Sequence, residues 1–296
     1  MRRIVVACAL FALLLAASPA AGRAATRGVI YGICGPSVCK VDAATGTKRT
    51  LLKGTAAKPY EAVGASRSGA KLALVRGEEV FRARQDGKGA ERVGSALRQA
   101  APEVNMRPDG GAVAWIDVLQ RPEVVCPFPP CGTSLERNLI SLDAGKPASQ
   151  SVIVAEGPTS AGWLGRSLLR QAFGDGGKPW FICAVTAAAG CVRTVAVDPA
   201  RWLDDPAGSP DGRRVAAVAR PMGSAGPVTG PIVLFDAATA LAVRDLTSGA
   251  DLDPAFSPDA KRVAFVRGRD LYVVSAGGGT ARRLARDVSS PAWALR

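Results

Sequence analysis

Short apolar segments, each introduced by a turn, recur along this chain. Five copies share this arrangement: 66–76 (SRSGAKLALVR), 107–117 (RPDGGAVAWID), 162–173 (GWLGRSLLRQAF), 209–220 (SPDGRRVAAVAR) and 257–268 (SPDAKRVAFVRG). In the Pro-Asp-Gly form, proline presets φ for the first central position, aspartate suits the second, and glycine relieves strain at the exit. No helical periodicity of useful length competes with this pattern after the N-terminal segment. The repeated unit therefore predicts an all-β protein.

A second hairpin turn follows each pair of predicted strands. It comes after a further apolar alternation and is rich in Asp, Ala and Gly, as at 42–46, 86–87, 143–145, 236–239 and 275–277. Each unit thus has four strands, A to D, with the Pro-Asp turn between A and B and the second turn between C and D. The A–B turns begin at 66, 107, 162, 209 and 257, a spacing close to the ~40–45 residues of one four-stranded propeller blade.

The two ends of the chain complete one blade together. Residues 28–53 supply strands B, C and D, whereas 289–296 supply a strand A, and 291–294 (PAWA) matches 254–257 (PAFS) of the preceding copy. Pairing of the ends removes an open sheet edge, which would otherwise promote aggregation. We therefore predict a six-bladed β-propeller, closed by pairing of the C-terminal strand with the N-terminal blade, as a single domain over 26–296.

At these repeats the chain resembles the WD-like repeats of TolB-type propellers. The best-matching copy is 254–287, PAFSPDAKRVAFVRGRDLYVVSAGGGTARRLARD. The resemblance implies an exported, six-bladed, protein-binding scaffold. TolB carries a separate α/β domain ahead of its propeller, for which we see no counterpart in this sequence, so its Tol-specific partners are not carried over.

The first residues have the organisation of a secretory signal peptide. Two arginines precede an uncharged apolar run over 4–17, and small residues lie at 18–22. The run is shorter than the roughly 20 residues of a membrane-spanning helix. We predict a signal peptide over 1–20, with cleavage as late as 24, and a periplasmic or extracellular protein that is not integral to the membrane. A lipoprotein modified at Cys8 is the alternative.

Charge and the lack of histidine limit the partners and the chemistry. The chain has 38 basic and 25 acidic residues, a formal charge of +13 at pH 7, and no histidine. Excess charge bears on partners rather than fold. It fits either an Arg-rich coding bias on a solvated surface or attraction to an anionic envelope polymer or phospholipid surface. Only 5% of residues are aromatic, so we expect no nucleic-acid binding. Without histidine, Ser-His-Asp and Cys-His catalysis and most zinc sites are excluded, which leaves hard cations such as calcium.

Six cysteines remain after the predicted signal peptide, an even number that suits an oxidising compartment. Six cysteines allow about 15 pairings. Each close pair in sequence encloses turn residues, which favours the local disulfides Cys34–Cys39, Cys126–Cys131 and Cys183–Cys191. No redox CxxC motif is present, so we interpret these bonds as loop staples.

The innermost strand A of each blade lines the central channel. Four positions before the A–B turn, it carries Glu103, Asp205 and Asp253 in blades three, five and six, and Ser290 in the closing blade. Equivalent placement would gather three carboxylates at one channel mouth. We predict a site there for a peptide amine or for a cation such as calcium. The structural alternative is that the Asp-Pro pairs only initiate turns.

Two B–C connections are long, and recognition usually sits on long loops of a rigid scaffold. They are 119–136 in blade three and 221–231 in blade five. Phe128 lies in the first, between prolines and the predicted Cys126–Cys131 bond, and is a candidate preorganised apolar anchor. A plain insertion tightened against proteolysis is the alternative.

Basic residues flank the A–B and C–D turns, which share the opposite face of a propeller. The predicted basic face comprises Arg213, Arg214, Lys261, Arg262, Arg282 and Arg283. Such a face would orient the molecule on an anionic envelope, an effect that salt screens. Solvated hairpin ends are the alternative.

We therefore expect an exported, monomeric binding or scaffold module without catalysis or cofactor, whose partner is an envelope or extracellular protein or peptide. The alternative is a calcium-dependent, lactonase-like propeller hydrolase that uses the channel-mouth carboxylates. A Gly-x-Ser-x-Gly nucleophile elbow is absent, and 209–212 departs from the Asp box of sialidases because its glycine comes one place early. These absences favour binding over catalysis.

Overall fold

A computed structural model describes residues 28–95, 103–122, 133–156, 161–172, 181–186, 190–224 and 228–295. Within these ranges the chain forms six antiparallel four-stranded sheets and one turn of 3-10 helix at Ala148–Gln150. No helix in this described part is both long and apolar enough to span a membrane. The prediction of an all-β fold is confirmed.

The strands of the first three blades are β1 (Val29–Cys34), β2 (Ser37–Asp42), β3 (Lys48–Leu52), β4 (Tyr60–Ala65), β5 (Lys71–Arg76), β6 (Glu79–Arg84), β7 (Glu91–Ser95), β8 (Val104–Met106), β9 (Ala112–Pro122), β10 (Thr133–Asp143) and β11 (Val152–Glu156). The remaining strands are β12 (Ala161–Leu164), β13 (Ser167–Ala172), β14 (Phe181–Thr186), β15 (Gly190–Val197), β16 (Arg201–Gly208), β17 (Arg214–Pro221), β18 (Ile232–Asp236), β19 (Ala242–Asp245), β20 (Asp251–Phe256), β21 (Arg262–Arg267), β22 (Asp270–Ser275), β23 (Arg282–Ala285) and β24 (Ser289–Ala294). Blade 1 is β24-β1-β2-β3, and blades 2 to 6 follow as consecutive groups of four.

The ring closes through the last strand. In blade 1, β24 pairs antiparallel with β1, with Val29 opposite Ala294 and Ile30 opposite Trp293. The innermost strands β24, β4, β8, β12, β16 and β20 each contact the next, and β20 returns to β24. The predicted six-bladed propeller and its closure by the C-terminal strand are both confirmed.

The hydrophobic core lies between blades. In four-residue apolar runs such as Val215–Val218, successive side chains point to opposite faces of the sheet. All four are buried, because each face packs against a neighbouring blade. Six apolar clusters result, one in each interface around the ring. Each contains a large buried ring: Tyr31 (blades 1 and 2), Trp115 (2 and 3), Trp163 (3 and 4), Phe235 (4 and 5), Phe265 (5 and 6) and Trp293 (6 and 1).

Two predicted boundaries were wrong. In blade 4 the residues from 162 continue strand A to Leu164, so the A–B turn lies at 165–166 rather than at 162. In blade 3 the ladder of β9 and β10 extends to Pro122 opposite Thr133, so both ends of the predicted 119–136 loop are strand and the connection is 123–132. The blade 5 connection agrees with prediction, because β17 ends at Pro221 and β18 begins at Ile232.

Candidate functional site

Three innermost strands carry a β-bulge at an X-Pro pair. The pairing register shifts at Asp205 in β16, Asp253 in β20 and Ser290 in β24, each followed by proline. These three residues have φ of 45°, 52° and 49°. A bulge leaves its extra residue outside the ladder, and proline has no N–H to donate. The backbone N–H groups of Asp253 and Ser290 can therefore bond outside their own blade.

The channel carboxylates accept these displaced N–H groups across the blade boundaries. Asp253 Oδ2 accepts a hydrogen bond of 3.1 Å from the backbone N–H of Ser290 in blade 1. The backbone N–H of Asp253 in turn donates to the carboxyl of Asp205 in blade 5. In the same way, Glu103 Oε2 of blade 3 accepts from the backbone N–H of Ala161 in blade 4, at 2.8 Å. The three acids predicted at equivalent positions thus lie on the channel wall, each linking its blade to the next.

Burial and mutual repulsion raise the pKa of this group. The pKa of Glu103 lies well above its ordinary value, because of desolvation and then the charges of Asp205, Asp253 and Asp204, which together outweigh the bond from Ala161. Desolvation and the neighbouring charges of Asp253 and Asp204 raise the pKa of Asp205 in the same way. Desolvation also raises the pKa of Asp253. The wall therefore concentrates negative potential that is only partly compensated.

A cavity of about 160 Å³ runs along the channel between these strands. Glu103, Asp205 and Asp253 line it toward the face that carries the B–C and D–A connections, and Arg67 and Pro108 of A–B turns line it toward the other face. The volume accommodates a side chain or a chain end rather than a folded element. The acidic residues are partly exposed to this space.

The calcium prediction gains no direct support from geometry. Across the residues that the structure describes, no three or more Asp, Glu or Cys side chains come together as a set of metal ligands. The three carboxylates are instead spread around the channel wall and bound to backbone N–H groups. Calcium binding stays a prediction.

The predicted basic face is mostly exposed. Backbone hydrogen bonds join the A–B and C–D turns within a blade, from Ala237 to Arg213 and from Ala276 to Lys261, so both turn types share one face. Its exposed members are Arg213, Arg214, Lys261 and Arg282, with Arg262 partly exposed. Arg283, also predicted to belong to it, is exposed, and its Nη1 lies 3.2 Å from Asp270 Oδ2, at the B–C end of blade 6.

The three predicted disulfides have three different outcomes. Cys34 and Cys39 form the predicted disulfide across the β1–β2 turn, with a Cα–Cα distance of 5.9 Å. Cys126, Cys131 and the candidate anchor Phe128 lie outside the described residues. The predicted Cys183–Cys191 disulfide is not formed in the structure: both thiols are free, the first buried and the second exposed, and the β14–β15 register places Cys191 opposite Val185 rather than Cys183. Desolvation, followed by the contact with Cys191, raises the pKa of Cys183 to about 12.

Sequence reasoning missed a second layer of charged side chains outside the channel. Arg220 Nε lies 2.6 Å from Asp204 Oδ2, and Gln171 of the preceding blade donates to the other oxygen of that carboxylate at 2.6 Å. In blade 6, Arg267 holds the fully buried Asp251 through two hydrogen bonds of 2.6 and 2.9 Å. The repeat alignment contained the signal, because an arginine recurs near the end of strand B.

Comparison with known proteins identifies the fold. No family model and no curated protein matches the sequence. Among solved structures, TolB from Acinetobacter baumannii is similar with a TM-score of 0.68 at 19% identity, covering 92% of this chain and 68% of that one. A protein described as TolB from Agrobacterium tumefaciens gives 0.58 at 18% identity over 89% and 91% of the two chains. An oligogalacturonate lyase in complex with manganese gives 0.51 at 16%, over 84% and 70%. The chain has a TolB-like propeller fold.

Proposed function

We propose that this chain is an exported, non-catalytic binding propeller that holds a positively charged group of a partner protein or peptide at the acidic end of its channel. The observation that carries the proposal is the set of three partly exposed carboxylates, Glu103, Asp205 and Asp253, which repel one another within one cavity. A bound ammonium or guanidinium group would favour their charged forms and turn repulsion into attraction.

The fold supports binding without deciding it, because TolB and a manganese-bound oligogalacturonate lyase share it with this chain. The residues favour binding. The chain has no histidine to act as a general base, and each channel carboxylate already accepts a backbone hydrogen bond. The calcium-dependent hydrolase is kept as the competing hypothesis.

The exposed cations Arg213, Arg214, Lys261 and Arg282 lie on the face away from the acidic mouth. Attraction of this face to an anionic envelope polymer would leave the channel mouth open to a partner. This part of the proposal predicts binding at low salt that weakens as salt screens the charges.

The test of the proposed function is a cross-linked pull-down of the mature protein from its own cell envelope. We expect one envelope protein or peptide with the wild-type chain and its loss with the triple variant Glu103→Gln, Asp205→Asn, Asp253→Asn. The matched control changes three exposed acids away from the channel, Asp86, Asp143 and Asp287, to asparagine and should retain the partner.

Equal recovery by all three proteins would refute the acidic-mouth proposal. The hydrolase is tested in parallel by melting temperature at millimolar calcium and by turnover of lactones and phosphoesters. A calcium-dependent rise in melting temperature that the triple variant lacks, together with turnover, would establish the competing hypothesis.

A further inference from the structure

In three blades, an arginine near the end of strand B has its guanidinium stacked over one or two aromatic rings. Arg267 lies over the rings of Phe265 and Tyr272, at 5.5 and 5.2 Å from their centroids. Arg220 lies over Trp202 at 5.1 Å. Such stacking holds the planar guanidinium in a fixed orientation while its N–H groups remain able to bind a carboxylate.

In blades 5 and 6 this arginine has a carboxylate partner within the chain. Arg267 binds Asp251, which lies directly opposite it on β20, with two nitrogens on two oxygens. Arg220 binds Asp204 of β16 through Nε at 2.6 Å. In both blades the acid comes from the innermost strand.

Blade 2 repeats the arrangement without the acid. Arg76 lies over Phe81 and Tyr60, at 4.9 and 5.8 Å from their ring centroids. Phe81 takes the position that Tyr272 has in blade 6. Each ring lies opposite the strand B residue two positions before the arginine, which is Leu74 in blade 2 and Phe265 in blade 6. Tyr60, opposite Arg76 on β4, occupies the place of Asp251.

The Arg76 guanidinium has no substitute partner among the described residues. Its Nε is buried and makes no hydrogen bond. Glu79, across the β5–β6 hairpin, instead faces Arg92, with Oε1 at 3.2 Å from Nε. Glu61 is the extra residue of a bulge between Tyr60 and Ala62, and it makes no hydrogen bond to the Arg76 Nε.

Tyr60, Arg76 and Phe81 are all partly exposed, so a partner can reach the guanidinium from solvent even though its Nε is buried. A buried donor without an acceptor is unfavourable, and a charge-assisted bond to a carboxylate would satisfy it. We propose that Arg76 binds a carboxylate group supplied by a partner molecule, which would neutralise it as Asp251 neutralises Arg267. An acidic side chain or a C-terminal carboxylate of a peptide has this chemistry. The proposal is independent of the channel site.

The test follows the side-chain Nε–H signals of arginine by NMR in the full mature chain, with sodium acetate as probe and sodium chloride at equal ionic strength as control. We expect a saturable shift of the Arg76 signal with acetate. The signals of Arg220 and Arg267 are internal controls and should stay in place, because their Nε atoms already bind carboxylates at 2.6 Å.

Variants of the site sharpen the test. Tyr60→Asp supplies an internal carboxylate where blade 6 has one, so it should abolish the acetate response and move the Arg76 signal toward that of Arg267. Tyr60→Phe should keep the response. Arg76→Lys, followed through the Phe81 ring signals, should weaken acetate binding at least about tenfold, since roughly that factor is lost with one hydrogen bond to a charged group.

Three results would overturn the proposal. The first is an Arg76 response no larger than that of the exposed Arg213, which would indicate nonspecific ion binding. The second is an unchanged acetate response in Tyr60→Asp with a melting temperature showing that the variant is folded. The third is a stronger response to inorganic phosphate than to acetate, which would assign the site to phosphate groups instead.

Discussion

Two neighbouring aspartates of β16 lie in opposite electrostatic environments. Asp204 points away from the channel and is held by Arg220 and Gln171, and its side chain is 2% exposed. Asp205 faces the channel, where desolvation and the charges of Asp253 and Asp204 raise its pKa. The Asp204 carboxylate therefore has a cationic partner. The charged form of Asp205, in contrast, is disfavoured by burial and by the neighbouring carboxylates.

Removing one negative charge at these two positions should have opposite effects at pH 7. Asp204→Asn removes the charged acceptor that the buried Arg220 Nε binds at 2.6 Å and should lower the free energy of unfolding by about 3 kcal/mol or more. Asp205→Asn keeps an acceptor for the N–H of Asp253 and removes repulsion, and asparagine tolerates the positive φ. It should leave stability unchanged or raise it. Urea unfolding of both variants checks this.

The pH dependence supplies the control. A carboxyl with a raised folded-state pKa binds more protons when folded, so the wild type loses stability as pH rises above the unfolded value of about 4. The advantage of Asp205→Asn over the wild type should therefore be largest at pH 7 and shrink toward pH 4. The charged groups that interact electrostatically with Asp205 are Glu103, Asp253, Asp204 and Arg220. An advantage that grows on acidification would contradict the raised pKa.

Counting four residues back from the A–B turn was sufficient to place Glu103, Asp205 and Asp253 on the channel wall. Residues at the same distance from the turn lie at the same level of the channel in every blade, because the blades repeat one structure. The same count gave no sign of their bonds to the next blade. Those bonds depend on bulges at Asp253 and Ser290, and a one-residue bulge changes the direction of an N–H without changing the spacing of the sequence. The Asp204–Arg220 pair escaped notice for a related reason, since only the structure shows which of two adjacent acids faces the arginine.

At the scale of single elements, the A–B turns of blades 5 and 6 are near copies. In blade 5, Ser209 Oγ donates to Asp211 at 2.5 Å and accepts the N–H of Arg214 at 2.9 Å. Ser257, Asp259 and Arg262 repeat these contacts in blade 6. Both turns have a residue with positive φ at the equivalent position. It is Gly212, with φ of 73°, in blade 5 and Ala260, with φ of 57°, in blade 6.

Exchanging glycine and alanine at these two positions should change stability in opposite directions. Gly212→Ala places a side chain in the left-handed region with no atoms nearby to contact, and should destabilise by roughly 1 kcal/mol. Ala260→Gly relieves that strain but loses a buried methyl group, so we expect a smaller gain. Thermal unfolding of both variants measures the difference. Equal shifts of the same sign would show that side-chain packing, rather than φ, governs these turns.

Turn chemistry explains which elements the sequence predicted well. Blades 5 and 6 have complete Ser-Pro-Asp turns, and their strands were placed correctly. Blade 4 has Gly165-Arg166 in place of that turn, so nothing in the local chemistry marked where strand A ends. In blade 3, the β9–β10 ladder includes Pro122 at its end, a residue that would ordinarily suggest a loop.

At the scale of the whole molecule, stability depends on six equivalent interfaces that form a ring. Each apolar cluster needs a blade on both sides, so the loss of one strand opens an interface and exposes a sheet edge at once. Strand β24 belongs to both features, because it pairs with β1 and carries Trp293 into the cluster between blades 6 and 1. The pairing was predictable because the sequence splits a single blade between its ends.

A chain of residues 26–288, which lacks β24, should test this closure. Its open β1 edge should cause self-association, measurable by size-exclusion chromatography with light scattering. A synthetic peptide of residues 288–296 should restore the monomer, because it supplies both the missing backbone hydrogen bonds and Trp293. The same peptide with Trp293→Ala should bind at least about a hundredfold more weakly, the equivalent of a Trp→Ala core truncation. A truncated chain that remains monomeric, with unchanged melting temperature and no affinity for either peptide, would show that the ring does not need its last strand.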